Sequence, residues 1–233
     1  MSLEANYHAI EDRIEAACAT AGRRREEIKL VAITKTRSAE EINALLPLGI
    51  SVMAENKVQE FMDKFPALLH DFDMQFVGQL QTNKVKYIID KVSLIQSLDR
   101  AELAREIHKR ALQIGKTMDC LIEVNIGGEV SKGGIAPTKE ALEGFYETLS
   151  GLSGVRVRGL MTVAPQTNEI FVQRKAFAEM FKLYEQLKIF SGNSNDIDTL
   201  SMGMTNDYEQ AIVEGSTMIR LGTALFGKRN YAI

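Results

Sequence analysis

The stretch LVAITKTRSAEEINALL, Leu30 to Leu46, decides how the chain is read. Its first four residues, Leu30 to Ile33, are apolar without alternation, as in a strand covered on both faces. Lys35 follows, between Thr34 and Thr36. Ser38 and Glu41 then stand three apart ahead of a periodic apolar run, the spacing of a capping box, so a helix begins there. This unit of strand, short loop and helix recurs along the chain. Apolar runs appear at KLVAIT, ISVMA, MQFVG, SLIQSL, DCLIEVNI, VRVRGLM, IDTLSM and TMIRLG. Helical patterns separate most of them: NKVQEFMDKFPALL, RAELAREIHKRALQI, TKEALEGFYETLSGL and the long NEIFVQRKAFAEMFKLYEQLKIF.

Strands that alternate with helices pair in parallel through crossover helices. An open doubly wound sheet and a closed (β/α)8 barrel both satisfy that rule. The count of eight, the even spacing and the absence of G-x-G-x-x-G after the first strand favour the α/β barrel. An extra N-terminal helix is expected over Leu3, Tyr7, Ile10, Ile14 and Cys18, ended by Gly22. A barrel takes most of about 250 residues. No Pro-rich or Gly/Ser-rich linker divides the 233 here, so residues 1–233 are expected to form one domain. The polar SGNSNDID, Ser191 to Asp198, is expected to be a flexible loop before the seventh strand.

Composition narrows the function classes. Lys plus Arg number 28 and Asp plus Glu 31, a net charge of −3 that argues against general nucleic-acid binding. Cys18 and Cys120 lack a C-x-x-C partner and are expected to be free buried thiols in a reducing compartment. His8, His70 and His108 stand alone, so no metal site is expected. The polar, amphipathic N-terminus does not resemble a signal peptide, and no apolar run approaches the roughly 20 residues of a membrane span. The protein is therefore expected in the cytoplasm.

In a (β/α)8 barrel, function gathers where strands end and βα loops begin. Lys35 ends the first strand, and Glu55 and Asn56 end the second. The third ends in GQLQTNK, the fifth in EVNIGGEVSKGG, the seventh in SMGMTND and the eighth in IRLGTALFG. Barrels often bind phosphate with the loops after strands seven and eight and a short helix N-terminus. Here Ser201 offers a hydroxyl, and Gly222 and Thr223 precede ALFG, which can begin a helix whose unpaired N–H groups and dipole favour an anion. GTALFGKR, Gly222 to Arg229, imitates a P-loop, but Arg229 stands where Ser or Thr should hold magnesium. The glycines of GGEVSKGG, Gly127 to Gly134, are irregularly spaced and read as a mobile loop. Nothing in the sequence fixes the separation of Glu123 and Glu129, so no paired-carboxylate chemistry is assigned to them. A lysine at the mouth, partly desolvated near other cations, can form a Schiff base. A reactive lysine and a phosphate cradle suit pyridoxal 5′-phosphate, and equally a Schiff-base aldolase acting on phosphorylated sugars.

Seven ordered segments resolve that choice: VAITKT, AENKVQE, VGQLQTNK, LIEVNIGGEVSKGG, GLMTVAP, LSMGMTNDYEQAI and GSTMIRLGTALFG. From about Leu30 to Gly227 they resemble the pyridoxal-phosphate homeostasis protein family, barrels similar to the N-terminal domain of alanine racemase and of fold type III. The resemblance implies that Lys35 carries pyridoxal 5′-phosphate as an internal aldimine. It implies that Ser201, Gly222 and Thr223 hold the phosphate and that Asn56 and Met202 line the ring. Arg220 matches the arginine that approaches the pyridine nitrogen in racemase-like barrels, with the phosphate as its other possible partner. Gln75 and Gln79 depart from the pattern, standing where an aromatic or histidine is expected.

A guanidinium donates hydrogen bonds and keeps its protons. A ring nitrogen facing one stays unprotonated, and the cofactor is a weaker electron sink. Racemases add an acid/base tyrosine from a second domain, which this sequence is not expected to supply; nothing places Tyr208 or Tyr231 in that role. The first expectation is therefore a carrier that buffers intracellular pyridoxal phosphate and passes it to apo-enzymes, with no catalytic residue. The alternative is an amino-acid racemase or lyase using the same lysine.

Overall fold

The computed structural model describes residues 2–129, 133–192 and 196–227. Eight parallel strands close into a barrel in sequence order, β1 pairing with β8. They are β1 (Lys29–Ile33), β2 (Val52–Glu55), β3 (Asp73–Phe76), β4 (Leu94–Leu98), β5 (Met118–Glu123), β6 (Val155–Met161), β7 (Thr199–Ser201) and β8 (Met218–Leu221). Every one overlaps an apolar run read from the sequence; β2, β3 and β5 each extend one residue past theirs, at Glu55, Asp73 and Met118.

The helices are α1 (Leu3–Thr20), α2 (Ala39–Asn43), α3 (Val58–Lys64), α4 (Val85–Ile88), α5 (Ala101–Gln113), α6 (Lys139–Thr148), α7 (Ile170–Phe190), α8 (Tyr208–Val213) and α9 (Thr223–Phe226). The capping box forms as expected: Ser38 N–H donates to Glu41 Oε2 at 2.8 Å, and Glu41 N–H to Ser38 Oγ at 3.2 Å. Helices α4 and α8 were not expected; the first is a single turn entered through a 3-10 turn at Thr82–Lys84. Of the expected loop at 191–198, residues 193–195 lie outside the described residues, as do Lys228, Arg229 and Tyr231.

Strand alternation sorts the core into two layers. Val31, Ala54, Leu94, Leu121, Met161 and Met218 fill the barrel interior. Ala32, Met53, Phe76, Ile95, Cys120, Leu160, Leu200 and Ile219 face outward onto the helices. Helix α5 meets that layer with Leu103, Ala104, Ile107 and Ala111, one stripe at three- and four-residue spacing. Each large side chain so buried contributes about 1.5–3 kcal/mol. Cys18 and Cys120 are free and buried. Among the described residues no group of side chains could hold a metal ion, and no helix is long and apolar enough to cross a membrane.

Candidate functional site

The C-terminal ends of β1, β2 and β8 are followed by Lys35, by Asn56, and by Gly222 and Thr223. Strand β1 points Val31 and Ile33 inward; Thr34 turns outward, donating to Glu55 Oε1, and Lys35 follows in the turn beyond the strand end. Lys35 is half-buried. On the neighbouring strand, Val31 is in register with Arg220, and two residues beyond Arg220 the chain turns at Gly222 into α9. A Cβ on Gly222 would lie 3.2 Å from the Ile33 carbonyl oxygen, so glycine lets this turn lie against the end of β1. Thr223 is exposed at the first position of α9, and the Ala224 N–H donates to Thr205 Oγ1 at 3.2 Å. On the other side of β1, Asn56 follows β2, half-buried, with its Oδ1 enclosed and unpartnered among the described residues. Gly78 makes that corner possible, since a Cβ there would come within 1.9 Å of the Asn56 carbonyl oxygen.

Below the rim a row of hydrogen bonds crosses the barrel. Arg220, 4% exposed, donates from Nη1 to Ser201 Oγ at 2.6 Å and from Nη2 to the Thr162 carbonyl at 2.7 Å. Ser201 donates to Gln96 Oε1 at 2.7 Å, and Gln96 Nε2 donates to Gln75 Oε1 at 2.7 Å. Gln75 Nε2 donates to Asp73 Oδ2 at 3.1 Å. All donation runs one way, from the guanidinium to a carboxylate. The two glutamines of β3 and β4 are therefore structural partners of the arginine. Gln79 is exposed and takes no part in the row.

Two expectations are revised here. The Ser201 hydroxyl, expected on a phosphate, is wholly buried and engaged with Gln96 and Arg220. Met202, expected on the cofactor ring, is buried in the outer layer between barrel and helices. Strand alternation explains both, since Leu200 and Met202 flank Ser201 and share the opposite face. Glu55, at the end of β2, also turns outward; it is fully buried and accepts a 2.8 Å bond from Lys64 Nζ. Tyr208 is buried under the Arg13 guanidinium, 5.6 Å from the ring centroid, against α1.

The electrostatics centre on Arg220. Burial lowers its pKa to about 10, opposed by the Asp207 and Glu123 carboxylates, so it stays a cation at neutral pH. Glu123, which sequence reasoning set aside, is pushed up to about 7, by burial first and then by Asp99, with Arg220 pulling it down. A Cβ on Gly133 would sit 3.3 Å from Asp99 Oδ2 and 3.5 Å from Glu123 Oε2, so the two acids converge there. No spacing in the sequence announces that pair.

An amine, a buried guanidinium, an amide oxygen unpartnered among the described residues and a glycine turn at a helix start thus stand on β1 and its two neighbouring strands, at or just below their C-terminal ends. These are the groups a phosphorylated aromatic aldehyde calls for, and the residues present fit pyridoxal 5′-phosphate.

Comparison with known proteins agrees. Residues 5–230 match the family model of the alanine racemase N-terminal domain. A protein of Aquifex aeolicus named pyridoxal phosphate homeostasis protein is 44% identical over 94% of this chain and 95% of its own length. A structure of an unknown protein from Bifidobacterium adolescentis superposes with a TM-score of 0.89 at 35% identity, covering 96% of this chain and 94% of that one. PipY of Synechococcus elongatus, in a structure with PLP bound, superposes with a TM-score of 0.78 at 28% identity, over 92% of this chain and all of PipY. By its match over almost the whole barrel, this chain belongs to the alanine racemase N-terminal domain family and, within it, to the pyridoxal phosphate homeostasis proteins.

Proposed function

We propose that this protein binds pyridoxal 5′-phosphate covalently through Lys35 and serves its homeostasis in the cytoplasm, buffering the cofactor and delivering it to apo-enzymes. The observation that carries this reading is the placing of the Lys35 strand end beside the Gly222 turn, above a buried Arg220. When bound, the cofactor supplies an aldehyde for amines and an electron-accepting ring. The chain's residues then divide the work. Lys35 provides the attaching amine. Gly222 and Thr223 would hold the phosphate at the start of α9, Asn56 would line the ring, and Arg220 would donate toward the pyridine nitrogen. Ser201 acts through Arg220, and Met202 supports the wall from behind. We read residues 1–233 as one barrel carrying this single site.

A guanidinium gives hydrogen bonds but no proton, so a ring nitrogen facing it stays unprotonated and carbanion chemistry is harder. Racemase-like barrels work with the same arginine, so it does not by itself separate a carrier from a racemase. The naming of relatives aligned over nearly their full length supports the carrier.

Borohydride reduction of the yellow protein followed by peptide mapping tests the attachment. Label is expected on Lys35, and label on another lysine refutes the assignment. Lys35→Ala is expected to lose the visible band. Incubation with D- and L-alanine in deuterated water tests the carrier reading, because exchange of the α-hydrogen at an enzyme-like rate would establish the racemase alternative instead.

A further inference from the structure

Behind Lys35 lies a polar cluster that the proposed cofactor site does not use. Lys64, the last residue of α3, donates from Nζ to the Thr34 carbonyl at 2.9 Å, to Glu55 Oε1 at 2.8 Å and to Glu60 Oε1 at 2.7 Å. An ammonium has three protons, and all three are committed. Glu55 has no exposed surface; its Oε1 also accepts from Thr34 Oγ1 at 2.8 Å, and its Oε2 accepts from the Asn56 N–H at 3.3 Å. Glu60 Oε1 also accepts the Thr36 N–H.

These bonds enclose Lys35 on both sides. Lys64 holds the carbonyl of the residue before it, and Glu60 holds the amide of the residue after it. The Arg37 N–H closes the turn onto the Thr34 carbonyl at 3.1 Å. Thr36 has φ of 65°, the left-handed region that a β-branched residue avoids unless its surroundings impose it. Helix α3 supplies the imposing groups one turn apart, at the i and i+4 positions. Released from Glu60, Thr36 is free to return to negative φ, and the direction of Lys35 changes with it.

We propose that Lys64, Glu60 and Glu55 are positioning residues, a clamp from α3 and β2 that fixes the backbone on both sides of Lys35 and keeps its amine aimed into the barrel mouth. The inference rests on the reading of Lys35 as the attachment point. It also assigns Lys64, an amine close to the site, a structural role and not that of a second capture site, since its protons are spent on three oxygens.

Glu60→Gln and Glu60→Ala in the full chain test the clamp. The Glu60 side chain is 23% exposed, so both variants are expected to fold, and a thermal melt verifies it. Two quantities are measured. One is the exchange rate of the Thr36 amide in cofactor-free protein, by NMR. The other is the rate at which added pyridoxal 5′-phosphate is captured, the Lys35 amine adding to the aldehyde carbon, a C=N bond forming and water leaving, followed by visible absorbance. The glutamine keeps an acceptor for the Thr36 N–H and is expected to match the parent protein in both. The alanine is expected to speed amide exchange and slow capture, each by at least about tenfold, the scale on which small misplacements of a reacting group act. Parent-like amide exchange in Glu60→Ala, or equal slowing of capture in both variants, overturns the clamp. Borohydride label on Lys64 overturns it too. If the parent protein captures no cofactor, the proposed function fails, while Thr36 exchange still decides the clamp.

Discussion

Arg220 Nη1 donates to the Ser201 hydroxyl at 2.6 Å, and that hydroxyl donates in turn to Gln96 Oε1 at 2.7 Å. Ser201 is therefore acceptor and donor at once at a fully buried position, where an orphaned polar group is costly. Its role is to hold the guanidinium at a fixed height below the rim, with Thr162 O as the second anchor.

Replacing Ser201 by Ala leaves Arg220 Nη1 and Gln96 Oε1 without that partner. Losing a partner costs about 1–3 kcal/mol for a buried polar group. Ser201→Ala is expected to lower the urea midpoint by an equivalent amount at unchanged slope, and to weaken cofactor retention. Parent-like stability would mean that the hydroxyl does not bridge the two.

Gly78→Ala probes the corner that carries Asn56. The new methyl would come within 1.9 Å of the Asn56 carbonyl oxygen, a backbone atom that cannot rotate away. Overpacking of this kind costs about 1–3 kcal/mol. Gly222→Ala meets Ile33 O at 3.2 Å, where a shift of tenths of an ångström suffices, so its folding penalty is expected to be smaller. Parallel thermal melts check that order, and an inverted order would contradict the packing at both turns.

The barrel was legible because all eight strands coincide with apolar runs to within a residue, a pattern that parallel sheets impose when both faces are covered. Helices α4 and α8 were not, because one or two turns give periodicity too little length to register. At the site, Lys35, Asn56 and Gly222 were legible as strand ends. The direction of Ser201 was not: with Leu200 and Met202 buried on one face and Ser201 on the other, nothing local tells inside from outside. Its partner Gln96 lies 105 residues away, a pairing that only barrel closure creates. The convergence of Glu123 and Asp99 on Gly133 has the same origin.

The cysteines give an independent check on the core. Cys120 has no exposed surface, and burial, then Asp119, raises its thiol far above the ordinary range; Cys18 is raised by burial as well. Thiolate is the reactive form. Neither should react with a disulfide reagent in the native protein, and both should after unfolding. Native reaction of Cys120 would contradict its place between barrel and helices.

Glu123 makes stability depend on pH. Its pKa rises from 4.5 to about 7 on folding, so across that interval the folded state binds the proton more tightly than the unfolded chain. Stability is then fully present below the unfolded value and declines as pH rises toward the folded one. The contribution is on the order of 1–3 kcal/mol after allowing for solvent near the rim. Glu55 and Asp207 are raised by burial too and add slopes of the same sign, so the informative quantity is a difference. Glu123→Gln imitates the protonated carboxyl at every pH. The cofactor-free parent should lose stability relative to this variant between pH 4.5 and 7 and run parallel to it above. A gap that stays constant through that window would mean that Glu123 ionises normally, as an acid open to water rather than one enclosed with Asp99 beside Arg220.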